Sequence, residues 1–494
     1  MPKRQNQLPN TFYLSLVTVD SKSLVPLYRQ IYSGLRDGIL DGRLSAKTRL
    51  PSTRDLAKIW SVSRNTLRNA FDQLIAEGYL EAVVGHGTFV VELETRLVTP
   101  EKSLLKVVSE RIRPISTIGR FLEPFGQSVK QSTISGTAFA VGVPDHAAFP
   151  HETWGRILNQ CQRRAPRDKR VIHGPNGVMR LREAIASYLV SARGLHCTAE
   201  QIDIVPGSVS GMYVAALSLI NQGDRVWMEE PGYINASGLL RYCGADLVPV
   251  PVDDQGLDVQ AGIKIAPDAR LAYVTPSHQY PLGVTLSLSR RQQLLDWAAR
   301  NNSWIFEDDY DSAFRYDGPP LTALQGLDAN QRVIYFGTFS KVMFPDLRLG
   351  YVVLPPDLVD VYTGVKLPIY LSSPTLIQEA VAEFMLEGHF VRHIRRMRQH
   401  YKARRDAFAE AIDRHMSGAM TLGATDCGLH AVAFMAEHLD EADVLGKAQS
   451  LGMLPLPLSQ EYLHGNGRHG LVFGFSNVEP EKIEEYIGRL AAII

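Results

Sequence analysis

YFGTFSKVMFPDLRLGYVVLP, residues 335–355, decides how the larger part of the chain is read. Lys341 follows an apolar run, stands beside the hydroxyls of Thr338 and Ser340, and has Arg348 seven residues on. An amine of lowered pKa condenses with an aldehyde to a Schiff base, and a guanidinium fork pairs with phosphate. The segment therefore suits an anionic aldehyde cofactor held on Lys341, with Arg348 at its phosphate and Thr338 and Ser340 offering hydroxyls nearby.

On either side of this segment, short apolar runs bounded by turns recur at 201–207, 225–230, 245–252, 271–277, 303–309, 332–337 and 348–355. Helical patterns such as VSGMYVAALSLINQ and SRRQQLLDWAARNN separate several of them. Alternation of this kind predicts an α/β body built on a mostly parallel, doubly covered sheet, with ligands at the carboxyl ends of the strands. Two further segments fall at such ends. In GSVSGMY (207–213) the glycine permits close approach, and Ser208, Val209 and Ser210 present N–H groups at a helix N-terminus, where phosphate binds. Many strand-to-helix turns carry Gly and Ser with no ligand at all. In SWIFEDDYDSAFRYDG (303–318) a carboxylate beside a pyridinium nitrogen keeps that nitrogen protonated. Asp308 is the first choice for that carboxylate and Asp309 the alternative. Tyr310 is placed to bond the phenolic oxygen of such a cofactor and Tyr233 to stack on its ring; either tyrosine can equally be core filler.

Residues 23–91 read as a separate compact unit, 92–136 as a linker with little periodicity, and 137–494 as the body. Leu27, Ile31, Leu35 and Ile39, four apart, give an amphipathic helix ending near Gly42. A second helix starts at Ser52, with Asp55 completing a capping box. A third runs from Ser63 to Glu77, with Leu67, Ala70, Phe71 and Leu74 on one face and Gly78 terminating it. Two β-prone runs about Gly85-His86-Gly87 read as a hairpin. The third helix carries Arg64, Asn65, Arg68 and Asn69 opposite its apolar stripe, which suits the DNA major groove, while Arg54 and the hairpin tip can reach phosphates. Formal net charge is zero, so bulk electrostatics does not hold the chain to nucleic acid. Between residues 40 and 70, however, seven Lys/Arg stand against two Asp/Glu. Solvated helix faces carry charge of the same kind.

The stretch LPSTRDLAKIWSVSRNTLRNAFDQLIAEGYLEAVVGHGTFV resembles the signature of the GntR-type winged helix-turn-helix. The resemblance implies DNA contacts from Arg54, Arg64, Thr66 and Arg68, with Gly87 at the wing. Ser61 stands where that family usually has glycine, a departure expected to matter little. In the body, VGVPDHAAFP, HGPNGVMRLREAIASYL, EEPGY, VTPSHQYPLGVTLSLSRR, EDDYDSAF and GTFSKVMFPDLRLGY resemble fold-type I pyridoxal-phosphate aminotransferases. The order of domains resembles the MocR/GabR-type regulators. That resemblance implies a fold-type I body with a smaller C-terminal α/β subdomain, pyridoxal 5′-phosphate on Lys341, operator DNA as partner, and a head-to-tail homodimer. It implies an effector-responsive transcription factor that senses pyridoxal phosphate itself, or an amine or amino acid, rather than a metabolic enzyme. The competing reading is a genuine aminotransferase with an accessory N-terminal module.

Two departures bear on that choice. The position matching the carboxylate-binding arginine of aminotransferases is Val472 in HGLVFGFSNV, and an arginine found in some relatives two residues after the stacking tyrosine is here Asn235. Arg468 and His469, just upstream, are the candidates to replace it. The four cysteines, Cys161, Cys197, Cys243 and Cys427, have no CxxC or CxxH spacing, so they read as reduced thiols with no metal site. No stretch reaches the roughly 18 apolar residues of a membrane span, and a cytoplasmic protein is expected.

Overall fold

The computed structural model describes residues 9–92, 115–117, 119, 120, 123, 138–164, 174–370, 374–465 and 467–494. Most of the expected linker, 92–136, lies outside the described residues. The chain divides into two compact units, Met1–Ile115 and Ser116–Ile494.

The first unit holds helices α1 (Asn10–Leu16), α2 (Leu27–Leu40), α3 (Thr53–Ile59) and α4 (Arg64–Ala76), then strands β1 (Leu80–Val83) and β2 (Gly87–Val90). Ile31, Leu35 and Ile39 of α2 and Leu67, Ala70, Phe71 and Leu74 of α4 are buried, as their spacing predicts. The Ser63 hydroxyl accepts the Thr66 N–H at 3.0 Å, satisfying a free donor at the start of α4, and Gly78 follows its end at φ +79°. At Ser52 the expected capping box takes a different form. Ser52 Oγ accepts the Asp55 N–H at 3.2 Å, but the Asp55 carboxylate turns to the serine hydroxyl at 2.6 Å. The helix α1 lies ahead of residue 23, where the sequence pattern began. Tyr13 and Leu16 are buried in the same core, and Trp60 Nε1–H donates to the Tyr13 carbonyl at 3.1 Å. Two turns are too short for periodicity to announce a helix; tertiary contacts make it. Ser61 sits at φ +53°, a left-handed conformation that costs a side chain about 1–2 kcal/mol relative to glycine.

Each of the seven apolar runs of the body forms a strand: β3 (Ile202–Val205), β4 (Arg225–Glu230), β5 (Asp246–Asp253), β7 (Leu271–Val274), β8 (Trp304–Asp309), β9 (Val333–Thr338) and β10 (Gly350–Val353), joined by a two-residue β6 (Gly256–Leu257). The sheet order is β3-β10-β9-β8-β7-β4-β5-β6. Strands β5, β4, β7, β8 and β9 run parallel, while β10 is antiparallel to both β9 and β3. All four residues of β3 and of β7 are buried, which is why parallel strands read as unbroken apolar runs. A second, antiparallel sheet, β11 (Met420–Leu422), β12 (His430–Met435), β13 (Leu456–Pro457) and β14 (Gly470–Gly474), forms the C-terminal α/β part in the order β11-β12-β14-β13. None of the described helices is long and apolar enough to cross a membrane.

The pairing sets the site. Parallel β4, β7, β8 and β9 deliver the residues after Glu230, Val274, Asp309 and Thr338 to one edge. Gly350 pairs with both Thr338 and Val205, so the start of β10 and the end of β3 join that edge.

Candidate functional site

Lys341 lies half-buried after β9, and its Nζ donates to the Gly142 carbonyl at 2.6 Å. Burial lowers its pKa and the Arg348 charge adds to this, while Asp311 and Asp308 oppose it. Gly142 is at φ +70°, and a Cβ there would collide with the Lys341 ammonium nitrogen. The space around the amine is thus held open by a glycine that the motif VGVPD contained but spacing did not single out.

Asp308, the last residue but one of β8, is almost wholly buried. Its Oδ2 accepts the Tyr273 hydroxyl at 2.8 Å, and its Oδ1 has no hydrogen-bond partner among the described residues. Burial raises its pKa to about 7, against the Tyr273 bond and with Asp309 and Asp311 adding. Asp309, one residue on, is engaged elsewhere: its Oδ2 takes the Arg193 Nε–H at 2.9 Å and the Tyr335 hydroxyl at 2.5 Å. A buried carboxylate oxygen with an empty lone pair calls for a donor, and of the two aspartates Asp308 offers it.

Tyr233 begins the helix Ile234–Tyr242, with its ring edge-on to Tyr280 at 5.4 Å and its hydroxyl accepting from the Asn235 amide at 3.1 Å. Its pKa is raised by burial, with Asp308 contributing, so both belong to one region. Ser208 and Val209 open the helix Ser208–Leu219 behind Gly207, at φ +93°. Gly350 packs so closely that a Cβ there would be 2.9 Å from the Ser208 nitrogen. Thr338 Oγ1 accepts the Ser340 N–H at 3.2 Å, and Arg348 is exposed in the left-handed region at φ +46°. Ser208, Val209, Tyr233, Asp308, Tyr310, Thr338, Ser340, Lys341 and Arg348 thus all stand at the carboxyl edge of the sheet.

The Tyr310 hydroxyl lies 3.0 Å from His278 Nδ1 and donates to the His278 carbonyl at 3.1 Å. His278, Asp311 and His430 form a buried cluster not anticipated from the sequence; they come from three segments more than 30 residues apart, and only VTPSHQYPLG and EDDYDSAF stood out as motifs. Their donor atoms lie near one another as in metal sites, but His278 Nδ1 and both Asp311 oxygens are already hydrogen-bonded within the protein.

Val472 is fully buried with Val432 and Leu458, and Val141 and Leu282 pack against it. The position is closed by aliphatic contact that includes Val141, the neighbour of Gly142. Arg468 is exposed, with its guanidinium 3.4 Å over the Phe434 ring. At about 3.3 Å per residue, β14 puts Gly470 roughly 13 Å from Gly474, and it is Gly474 whose N–H reaches the Phe139 carbonyl at 2.9 Å, near Gly142. His469 lies exposed beside Arg468.

In the first unit Arg54, Arg64, Asn65, Arg68 and Asn69 are exposed, and the three arginines have no acidic partner among the described residues. Thr66 is half-buried, its hydroxyl 2.7 Å from Ser63 Oγ, so it also helps to cap α4. Gly87 begins β2 at the hairpin, and Arg49, not singled out before, lies against it.

Residues 137–438 match the aminotransferase class I and II family, and residues 27–90 match the gntR family of bacterial regulatory proteins. The probable rhizopine catabolism regulatory protein MocR of Rhizobium meliloti is 38% identical over 475 residues, 96% of this chain and 95% of its own. The pyridoxine biosynthesis transcriptional regulator PdxR of Corynebacterium glutamicum is 30% identical over 464 residues, 94% of each chain. Among solved structures, Pyrococcus horikoshii kynurenine aminotransferase superposes with a TM-score of 0.69 at 26% identity, covering 79% of this chain and 95% of that one. The aminotransferase class I and II family is pyridoxal-phosphate dependent. With both halves matched in this order and a relative aligned over nearly the whole length, the chain belongs to the MocR-type helix-turn-helix regulators, in which a GntR-type domain precedes an aminotransferase class I and II body.

Proposed function

We propose that this chain is a cytoplasmic, homodimeric transcriptional regulator whose first unit binds operator DNA and whose body carries pyridoxal phosphate on Lys341. The buried, unpartnered Asp308 Oδ1 carries the reading: it fits the ring N–H of a pyridinium, and the Lys341 amine stands at the same strand edge. When bound, the cofactor supplies an aldehyde that a primary amine captures. Lys341 is that amine, and its lowered pKa keeps more of it unprotonated. Tyr233 would stack on the ring and Tyr310 would donate to its phenolic oxygen. Arg348, the Thr338 and Ser340 hydroxyls, and the N–H groups of Ser208 and Val209 hold the phosphate.

The effector is pyridoxal phosphate itself, or an amine or amino acid that competes with Lys341 for it. Val472 and Asn235 weigh against an amino acid, because a carboxylate beside a closed aliphatic cluster lacks a cation and is costly to desolvate. One relative named above is a pyridoxine biosynthesis regulator and another a probable rhizopine catabolism regulatory protein. An aminotransferase with an accessory first unit is the second reading; the retained Lys341 and Asp308 favour it, and the unpaired arginines of α3 and α4 weigh against it.

The test is promoter-DNA binding by fluorescence anisotropy with and without pyridoxal phosphate, beside an absorbance titration with amines and amino acids. A shift of DNA affinity by about 5- to 150-fold on cofactor addition is expected, the usual range of allosteric coupling. Transaminase turnover at ordinary enzyme rates with no DNA binding at physiological salt would overturn the reading. Arg64→Ala is expected to weaken operator binding by about 1–3 kcal/mol if the side chain reads a base edge, or evenly across sequences if it holds phosphate; unchanged affinity in both measurements removes it from the interface. Gly142→Ala places a methyl group on the Lys341 amine and a side chain at φ +70°. The left-handed strain alone, about 1–2 kcal/mol, corresponds to roughly a 5- to 30-fold weaker hold on the cofactor if it is relieved by displacing Lys341; a wild-type titration with pyridoxal phosphate would contradict this.

A further inference from the structure

Behind Tyr310 lies a carboxylate–imidazole pair with no task in the cofactor reading. Asp311 and His278 are each only 2% exposed. Asp311 Oδ1 is 2.8 Å from His278 Nδ1, and its Oδ2 accepts the Leu429 N–H at 3.1 Å. A carboxylate so placed keeps the imidazole proton on Nδ1. His278 Nε2, accordingly an acceptor, has no donor among the described residues. That one proton faces two acceptors, Asp311 Oδ1 at 2.8 Å and the Tyr310 oxygen at 3.0 Å, and is shared between them, while the phenol itself donates to the His278 carbonyl at 3.1 Å. Room for the pair is reserved by Gly428, at φ +85°, since a Cβ there would collide with the imidazole and come 2.6 Å from Asp311 Oδ2. Three segments are thereby joined at one point: the loop after β7, the end of β8, and the entry to β12.

We propose that His278, held by Asp311, is a positioning residue for Tyr310: the imidazole Nδ1–H, shared between Asp311 Oδ1 and the phenol oxygen, occupies one side of that oxygen, so that with the cofactor bound the phenol's own proton would turn from the His278 carbonyl to the cofactor's phenolic oxygen. The inference rests on the pyridoxal-phosphate reading of Lys341. A hydroxyl has one proton and two acceptor sites, so fixing a donor on its oxygen directs where that proton points. The competing acceptor is the His278 carbonyl, to which the hydroxyl donates in this structure; without the imidazole no donor on the phenol oxygen opposes that bond. The other titratable groups around this hydroxyl are Asp308 in β8, Tyr280 after β7, Cys427 ahead of β12 and His430 at its start. His430 is kept neutral chiefly by burial, with the neighbouring His278 adding, so it brings no charge to this exchange.

The experiment is a pH titration of the visible absorption band of the full-length protein reconstituted with pyridoxal phosphate. A phenol donating to the cofactor's oxygen stabilises it as an anion and eases proton loss from the Lys341 nitrogen. Tyr310→Phe is therefore expected to raise the midpoint by about one pH unit or more, the scale of a charge-assisted hydrogen bond. His278→Ala shifts it in the same direction. The double variant shifts it no further than Tyr310→Phe alone, because His278 acts only through the phenol. His278→Asn, which retains an N–H near the place of Nδ1, returns the midpoint toward wild type. Should the alanine variant not fold, His278→Gln, whose longer side chain moves the donor away from that place, takes its position in the cycle. A wild-type midpoint in the His278 variant, or a shift that adds to that of Tyr310→Phe, overturns the inference while the cofactor reading stands. A wild-type protein with no visible band overturns both.

Discussion

Lys341→Ala protein is expected to stay colourless when incubated with pyridoxal phosphate, to yield no borohydride-reducible adduct, and to keep its circular dichroism spectrum. The loss should be complete rather than partial. Covalent capture needs a primary amine at this point, and the other lysine buried in the described body, Lys366, is paired with Asp203. Truncation removes one hydrogen bond, to the Gly142 carbonyl, from a half-buried side chain, so the fold has little reason to respond. A yellow, reducible adduct in the variant would place the reactive amine elsewhere and remove the basis of the proposed function.

Asp203→Ala is expected to destabilise the body by about 3–5 kcal/mol, measured by urea unfolding followed through tryptophan fluorescence. Asp203 and Lys366 are both wholly buried, with Lys366 Nζ 2.5 and 2.7 Å from the two carboxylate oxygens and 2.6 Å from the Pro175 carbonyl. Asn176 adds donor contacts to Asp203 and to Thr363, each at 3.0 Å. Burial moves both groups toward their neutral forms, raising the Asp203 pKa to about 6 and lowering that of Lys366. Desolvation thus outweighs mutual attraction, and the pair adds little over an apolar one. Removing a single partner is different, because it strands a charge with no water to receive it. Asp203→Leu combined with Lys366→Met is accordingly expected to recover most of the loss. A fall below about 1 kcal/mol in Asp203→Ala would mean that water reaches Lys366. The pair ties β3, the helix Val359–Lys366 and the turn at 174–177 together, next to the Gly207–Ser208 turn of the site.

The helix α4 was legible because its periodicity, its serine cap and its terminating glycine all agree locally. The helix α1 was not, since two turns carry too little pattern and its Tyr13 and Leu16 acquire meaning only against Trp60 and its neighbours. The short strands β11 and β13, three and two residues long, are likewise below what periodicity resolves; pairing with β12 and β14 defines them.

Composition and pattern were enough to place the seven body strands, the two-unit order, and a lysine, two candidate carboxylates and an arginine at strand ends, because burial on both faces writes itself into consecutive residues. They put Asp308 ahead of Asp309 but left both open: neighbours on a strand point to opposite faces, and which face meets the site depends on strands contributed from far along the chain. Among the described residues the folded arrangement leaves an oxygen of Asp308 without a partner and gives Asp309 to Arg193 and Tyr335. It also joins His278, Asp311 and His430 across more than 150 residues and closes Val472 among aliphatic side chains. Contacts of that range are set by sheet order and packing, and no local pattern encodes them.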